Sequence, residues 1–241
     1  MAGIDTYTKL MLHCDGADAS TTFTDSEITP KTVTAVGNAQ IDTAQSKFGG
    51  ASALFDGTGD YLTTPDHADF DPGSGNYTWD MWLRVPATGT YYIASQLGAG
   101  ATDRAYSLLV TATTIGFNYA TSSGSAWANQ WTFAWTPSIN TQYHIAWVRN
   151  GADFKVFLDG TQIGVTQNIS TDTIRNSGSE FVIASNTDAQ FPLNGWLDEI
   201  RFSKGIARWT ANFTPPTEAY SVSRSLVYRD RMIPRYSLLR R

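Results

Sequence analysis

At 241 residues, with 41% apolar and 16% charged residues, the chain has the composition of a globular domain with a large core and not of a disordered segment. Its one cysteine, Cys14, excludes an intrachain disulfide, and no apolar run approaches the ~18 residues of a membrane helix. The net charge of −5 is uneven: residues 221–241 hold six Arg and one acid, which leaves a body of eleven basic and twenty-one acidic residues and argues against nucleic acid as its partner.

Taken in order, the chain reads as short strands with no helix. Residues 9–13 form the first strand, residues 15–18 turn out of it, and residues 23–26 and 33–37 read as edge pieces. In residues 48–62, Ala53 and Phe55 alternate, Asp56-Gly57 and Gly59-Asp60 make a tight turn, and Tyr61 starts the return strand. Residues 77–85 place Tyr77, Trp79, Met81, Leu83 and Val85 on one apolar face, with Thr78, Asp80 and Arg84 opposite and Trp82 the exception. Further strands are predicted at 91–95, 106–110, 114–119 and 131–135. Residues 142–151 and 154–160 form a hairpin punctuated by Asn150-Gly151 and Asp159-Gly160, and residues 180–184 precede the last strand.

The last strand, residues 194–202, puts Trp196, Ile200 and Phe202 on one parity and Leu197, Glu199 and Arg201 on the other, with Asp198 as the polar residue of the apolar face. A short turn and an aromatic run ending at Pro215-Pro216 follow. This Gly195-Trp196-Leu197-Asp198-Glu199-Ile200-Arg201 pattern, with Ala207-Arg208-Trp209 and Asn212-Phe213-Thr214-Pro215-Pro216, resembles the closing motif of laminin-G-like domains in the concanavalin A-like lectin/glucanase superfamily. The 48–62 hairpin, the 77–85 strand and the 142–160 hairpin, with His144 and Arg149, are similar to family blocks in the same order. The resemblance implies an all-β, antiparallel two-sheet jelly-roll sandwich over residues 1–220, followed by an extended arm at 221–241. Fold alone does not fix the ligand.

Glucanases of this superfamily carry acids alternating on one strand. Here Asp80, Asp198 and Glu199 each lack an acid two residues away, and Asp198 and Glu199 point to opposite faces, so no enzyme is expected. Structural roles open to them are holding loop amides and pairing with an arginine such as Arg201 or Arg84. His144 fits a packed, hydrogen-bonded role. The expected work is attachment to a cell-surface glycan, with Trp127, Trp131 and Trp135 as rings that either stack on sugar or, for the alternating Trp131 and Trp135, fill the core. Relatives that bind Ca²⁺ through rim acids make Asp56, Asp60 and Asp198 candidate ligands. Solvated acids or acids holding backbone amides, as Asp60 and Asp198 could, are the competing reading.

No signal peptide is visible, and a lectin-like domain beginning at Met1 fits a bacteriophage virion protein made in the host cytoplasm, whether on the tail, a fibre or as head decoration. A purely structural virion component without sugar binding is the alternative. In the arm, Arg224, Arg229, Arg231, Arg235, Arg240 and Arg241 are interleaved with apolar residues, which points to docking on another virion chain or on a second copy in a homo-oligomer.

Overall fold

The computed structural model describes residues 3–122 and 126–221. Among these residues fifteen strands fold into two antiparallel sheets, and strand residues exceed a third of the chain, as the period-two patterning predicts. The eight-stranded sheet contains β1 (Thr8–Leu12), β3 (Gln40–Asp42), β4 (Ser52–Asp56), β6 (Tyr77–Arg84), β11 (Gln142–Asn150), β12 (Asp153–Leu158), β13 (Thr161–Asn168) and β15 (Asn194–Lys204). Its order is β13-β12-β11-β6-β15-β4-β3, with β1 also pairing β15. The seven-stranded sheet contains β2 (Thr34–Val36), β5 (Tyr61–Thr64), β7 (Tyr91–Leu97), β8 (Arg104–Val110), β9 (Thr114–Tyr119), β10 (Asn129–Ala134) and β14 (Phe181–Ile183), in the order β10-β9-β8-β7-β14-β5-β2. The helical elements among the described residues are two short 3-10 segments, one of them at Ala68–Phe70. This is the all-β sandwich expected of a concanavalin A-like jelly roll.

The core lies between the sheets. Tyr77, Trp79, Met81, Leu83 and Val85 all enter it, so the alternation read from β6 holds. Trp79 stacks on Phe202 at 3.9 Å and on Phe181 at 4.9 Å, joining the two sheets through rings. Trp147 donates its indole N–H across the gap to the Gly116 carbonyl at 3.2 Å, which satisfies its polar edge.

In β15 the alternation does not hold. Leu197, Ile200 and Phe202 are all fully buried in the core, whereas Trp196 and Arg201 face outward. The cause is a bulge: the register against β6 shifts between Asp198 and Arg201, and Glu199 sits at φ 50°. One extra residue moves every later side chain to the other face. A strict period-two reading therefore misassigns Leu197.

The outer face of the eight-stranded sheet is covered by the chain's own C-terminal strap, residues 205–221. Trp209 and Phe213 stack at 4.0 Å and lie over His144, Ala146, Val148 and Phe157. Beneath the strap, Arg201 forks onto Asp80 at 3.0 and 3.2 Å, both side chains fully buried, and Tyr220 donates its hydroxyl to Asp80 at 2.6 Å. Burial opposes ionisation of Asp80, but the Arg201 charge and the His144 contact hold its carboxyl down to about 2. His144 is packed as expected, yet neither ring nitrogen has a hydrogen-bond partner, and Nε2 lies 3.6 Å from Asp80. Ser221, the first residue of the expected arm, still belongs to the body, since its carbonyl accepts from Ile4 N at 2.8 Å. The six arm arginines lie outside the described residues.

Candidate functional site

Among the described residues, the outer face of the seven-stranded sheet carries no such strap. Its middle row runs Val182, Ser95, Ser107, Asn118 and Gln130 across β14, β7, β8, β9 and β10. The next row runs Tyr92, Leu109, Gly116 and Thr132. These residues alternate with Leu108, Val110, Ile115, Phe117 and Tyr119, which enter the core. A Cβ on Gly116 would lie 2.6 Å from Leu109 Cδ1, so a larger residue there would displace the end of the Leu109 side chain.

The loop between β14 and β15 folds back over this face. Asn186 Oδ1 accepts from the amides of Asp188 and Gln190 at 3.1 and 2.8 Å, and Ser95 Oγ donates to the Ser185 carbonyl at 3.0 Å. Tyr92 N donates to the Phe191 carbonyl at 2.9 Å. Ala184, Ala189 and Phe191 all have left-handed φ, at 71°, 52° and 47°. Such residues cost on the order of 1 kcal/mol each without glycine, and they cluster where a side chain must be aimed. What this loop aims is Phe191, 52% exposed, edge-on to Tyr92 with ring centres 5.7 Å apart.

Between these rings lies a cleft of about 180 Å³, lined by Thr90, Tyr91, Tyr92, Leu109, Asn118 and Phe191. Burial pushes the Tyr92 hydroxyl above its ordinary value while the Arg104 charge pulls it back, so it remains a neutral O–H at physiological pH. The arrangement offers two aromatic surfaces, a phenol and a carboxamide. That set can stack on an apolar ring face and hydrogen-bond to hydroxyls.

The residues singled out in the sequence fall elsewhere. Trp131 packs inward against Tyr119 and Phe154, with ring centres 5.2 and 5.3 Å away, and Trp135 meets Tyr143 at 5.0 Å. Both rest on the core and are only partly buried. Trp127 is half-buried under the Arg104 guanidinium, 4.9 Å above its ring. The reading missed Tyr92, Asn118 and Phe191. The signal that flagged Trp127, an aromatic in a polar loop, applies equally to Phe191.

The three calcium candidates do not converge. Asp56 holds the Thr58 amide at 2.7 Å, and Asp60 holds those of Asn38 and Asp56 at 2.5 and 2.8 Å. Asp198 Oδ2 holds the amides of Lys47 and Phe48 at 2.6 and 3.2 Å. Among the described residues no group of three or more His, Cys, Asp or Glu could hold a metal. A hard cation wants six to eight oxygens, so the calcium expectation rests on the resemblance alone. Burial, with the Glu199 charge adding to it, raises Asp198 to about 7 against the pull of the Lys47 and Phe48 amides. Glu199 pairs with His13 Nδ1 at 2.6 Å and holds the Tyr220 amide at 2.8 Å. The acids weighed as catalytic are thus engaged in the frame, with Arg201 paired to Asp80.

A concanavalin A-like sandwich with an aromatic-lined cleft on one outer face is what the structure defines. Residues 56–208 match the laminin-G family of the concanavalin A-like lectin/glucanases superfamily, and the chain belongs to that superfamily. Among solved structures it is similar to domain 4 of AbnA, a GH43 extracellular arabinanase from Geobacillus stearothermophilus, in complex with arabinotriose. The identity is 17% and the TM-score 0.60, covering 86% of this chain and 95% of that one. It is also similar to the botulinum neurotoxin serotype D ligand binding domain in complex with N-acetylneuraminic acid. There the identity is 13% and the TM-score 0.59, over 94% of this chain and 52% of that one. The binding domain of Paraclostridial Mosquitocidal Protein 1 matches at 12% identity and a TM-score of 0.60, over 82% of this chain and 49% of that one. The chain thus spans about half the length of the toxin domains. No curated protein matches it. At these identities the likeness concerns the fold.

Proposed function

We propose that this chain is a non-catalytic glycan-binding module that holds a saccharide in the cleft between Tyr92 and Phe191. The observation that carries the reading is Phe191, held half-exposed at a left-handed φ beside Tyr92 over an otherwise polar sheet face. The rings stack on a sugar face while Asn118 and the Tyr92 hydroxyl meet its hydroxyls. The solved complexes with arabinotriose and N-acetylneuraminic acid support a saccharide as the ligand class. Arg104 at the start of β8, with the Trp127 ring of the β9–β10 loop against it, extends the surface for a longer chain. The basic stretch at 221–241 supports placing the module on a larger assembly, a virion in our reading, which particle fractionation followed by mass spectrometry tests.

The primary test is a glycan array followed by calorimetry on the best hit. Phe191→Ala and Tyr92→Ala should each weaken binding at least about tenfold while the melting temperature stays within a few degrees. Variants that bind as the parent does, or an array with no hit, defeat the proposal.

A further inference from the structure

A second cleft lies on the opposite side of the sandwich, at the end of the eight-stranded sheet that the strap leaves bare. It is lined by Ser52, Trp82, Leu83, Arg84, Gln142, Trp196 and Asp198, and its free volume is about 10 Å³. The register of β6 against β15 builds it, since Asp198 faces Trp82 and Trp196 faces Arg84 on adjacent strands. Most polar atoms around it are matched. Trp196 Nε1 donates to Asp42 at 2.6 Å, Gln142 Nε2 to the Ser46 carbonyl at 2.8 Å, and Ser52 Oγ to the Gln45 carbonyl at 2.8 Å.

Two atoms are not matched. Trp82 Nε1 and Asp198 Oδ1 are buried without a hydrogen-bond partner, on side chains of residues only 6% and 3% exposed. Buried polar groups are normally satisfied, and an orphan costs more than an ordinary hydrogen bond contributes. These two are complementary in kind. The indole N–H can only donate, and an ionised carboxylate oxygen can only accept.

The chemistry of the missing partner follows. With Asp198 ionised, a carbonyl or an anion answers the indole but has no proton for the carboxylate. An ammonium answers Asp198 but accepts nothing from the indole. A hydroxyl does both, and it still fits when Asp198 is protonated, because its oxygen has a second lone pair. The free volume matches one oxygen atom. Around the mouth, Lys47 Nζ sits 3.8 Å from the Trp82 ring centre, and the Arg84 guanidinium lies 4.9 Å from that of Trp196.

We propose that this cleft is a hydroxyl-binding site, distinct from the Tyr92–Phe191 cleft, in which one hydroxyl oxygen accepts from Trp82 Nε1 and donates to Asp198 Oδ1. Water and a saccharide or polyol are the two sources of that oxygen. In the saccharide case the sugar body rests against half-buried Trp196 at the rim.

The test uses the full chain carrying Tyr92→Ala, so that sugar bound at the first cleft does not enter the reading. One crystal is grown free of polyols and a second is soaked in methyl glucoside, both at a resolution that shows ordered water. The Trp82 indole N–H is followed by NMR in parallel. Expected is an oxygen about 2.7–3.2 Å from both atoms in the free crystal, replaced by a glycoside hydroxyl in the soaked one. The indole signal should then shift on titration. Asp198→Asn, which keeps a carbonyl for the Lys47 and Phe48 amides, should weaken that titration roughly tenfold or more. Water retained unchanged in both crystals assigns the oxygen to solvent and overturns the ligand role. A dry cleft in both overturns the site altogether. Neither result bears on glycan binding by the unmutated Tyr92–Phe191 cleft.

Discussion

The two outer faces of this sandwich are made by the same alternation and meet opposite fates. On the eight-stranded sheet the outward side chains of β6, β11 and β15 are Asp80, His144 and Arg201, fully buried beneath the strap. On the seven-stranded sheet the outward row is Ser95, Ser107, Asn118 and Gln130; Ser95, Ser107 and Asn118 are also buried, Gln130 is exposed, and an aromatic cleft lies beside the row. A jelly roll has two outer faces to offer. Here one is closed by residues 205–221 of the same chain, and the other is where we propose that a saccharide is held.

The comparison breaks most severely at Asp80–Arg201. Arg201→Ala leaves an uncompensated carboxylate beneath the strap and should cost about 3–5 kcal/mol by chemical denaturation. A loss under about 1 kcal/mol would mean that the pair reaches solvent and that the strap does not seal this face.

Thinning the strap itself is the next step down. Trp209→Ala removes a ring from the stack over His144 and should cost about 2–3 kcal/mol. The ligand affinity of the opposite face should remain within twofold by calorimetry, because the core separates the two.

Acidity sharpens the contrast, since the closed face and its margin hold the strongly shifted carboxylates. Asp198 is raised to about 7, so between roughly pH 4 and 7 the folded protein keeps a proton that the unfolded chain gives up. Stability therefore falls as pH rises through that window, by at most about 1.4 kcal/mol per pH unit for one proton. His13, raised by its hydrogen bond to Glu199, acts in the same direction, its contribution full below its ordinary value and lost above the folded one. Asp80, lowered to about 2, acts oppositely, its contribution present above its ordinary value and lost as pH falls toward 2. Melts from pH 2 to 9 should peak on the acid side of neutrality, and Asp198→Asn should flatten the fall toward neutral pH.

The smallest stability effect belongs to the open face. Phe191→Gly removes an exposed ring and relieves a left-handed φ, so stability should move by no more than about 0.5 kcal/mol while glycan binding is lost.

The sequence was most informative where strands obey period two. The core face of β6, the hairpin turns at Asn150-Gly151 and Asp159-Gly160, and the sandwich class could all be read before any coordinates. It was least informative where one residue departs from that rule. The bulge at Glu199 has no glycine to announce it, so Leu197 was assigned to the wrong face. The cleft was hidden for a related reason. Tyr92 looks like any strand aromatic, and its partner Phe191 is 99 positions away, brought near by a loop whose left-handed residues are alanines and a phenylalanine. Trp127, Trp131 and Trp135 drew attention instead, and Trp131 and Trp135 are partly buried rings packed against the core.

The clasp between Ile4 and Ser221 has a mechanical consequence. The path into the sandwich and the path out of it pass through one point, where a Cβ on Gly3 would collide with the Ser221 carbonyl. Residues 4 and 221 therefore enter and leave the described body side by side. A pull between residues 4 and 221 is met first by that clasp, and beyond it by the pairing of β1 with β15 on one side and by the strap on the other.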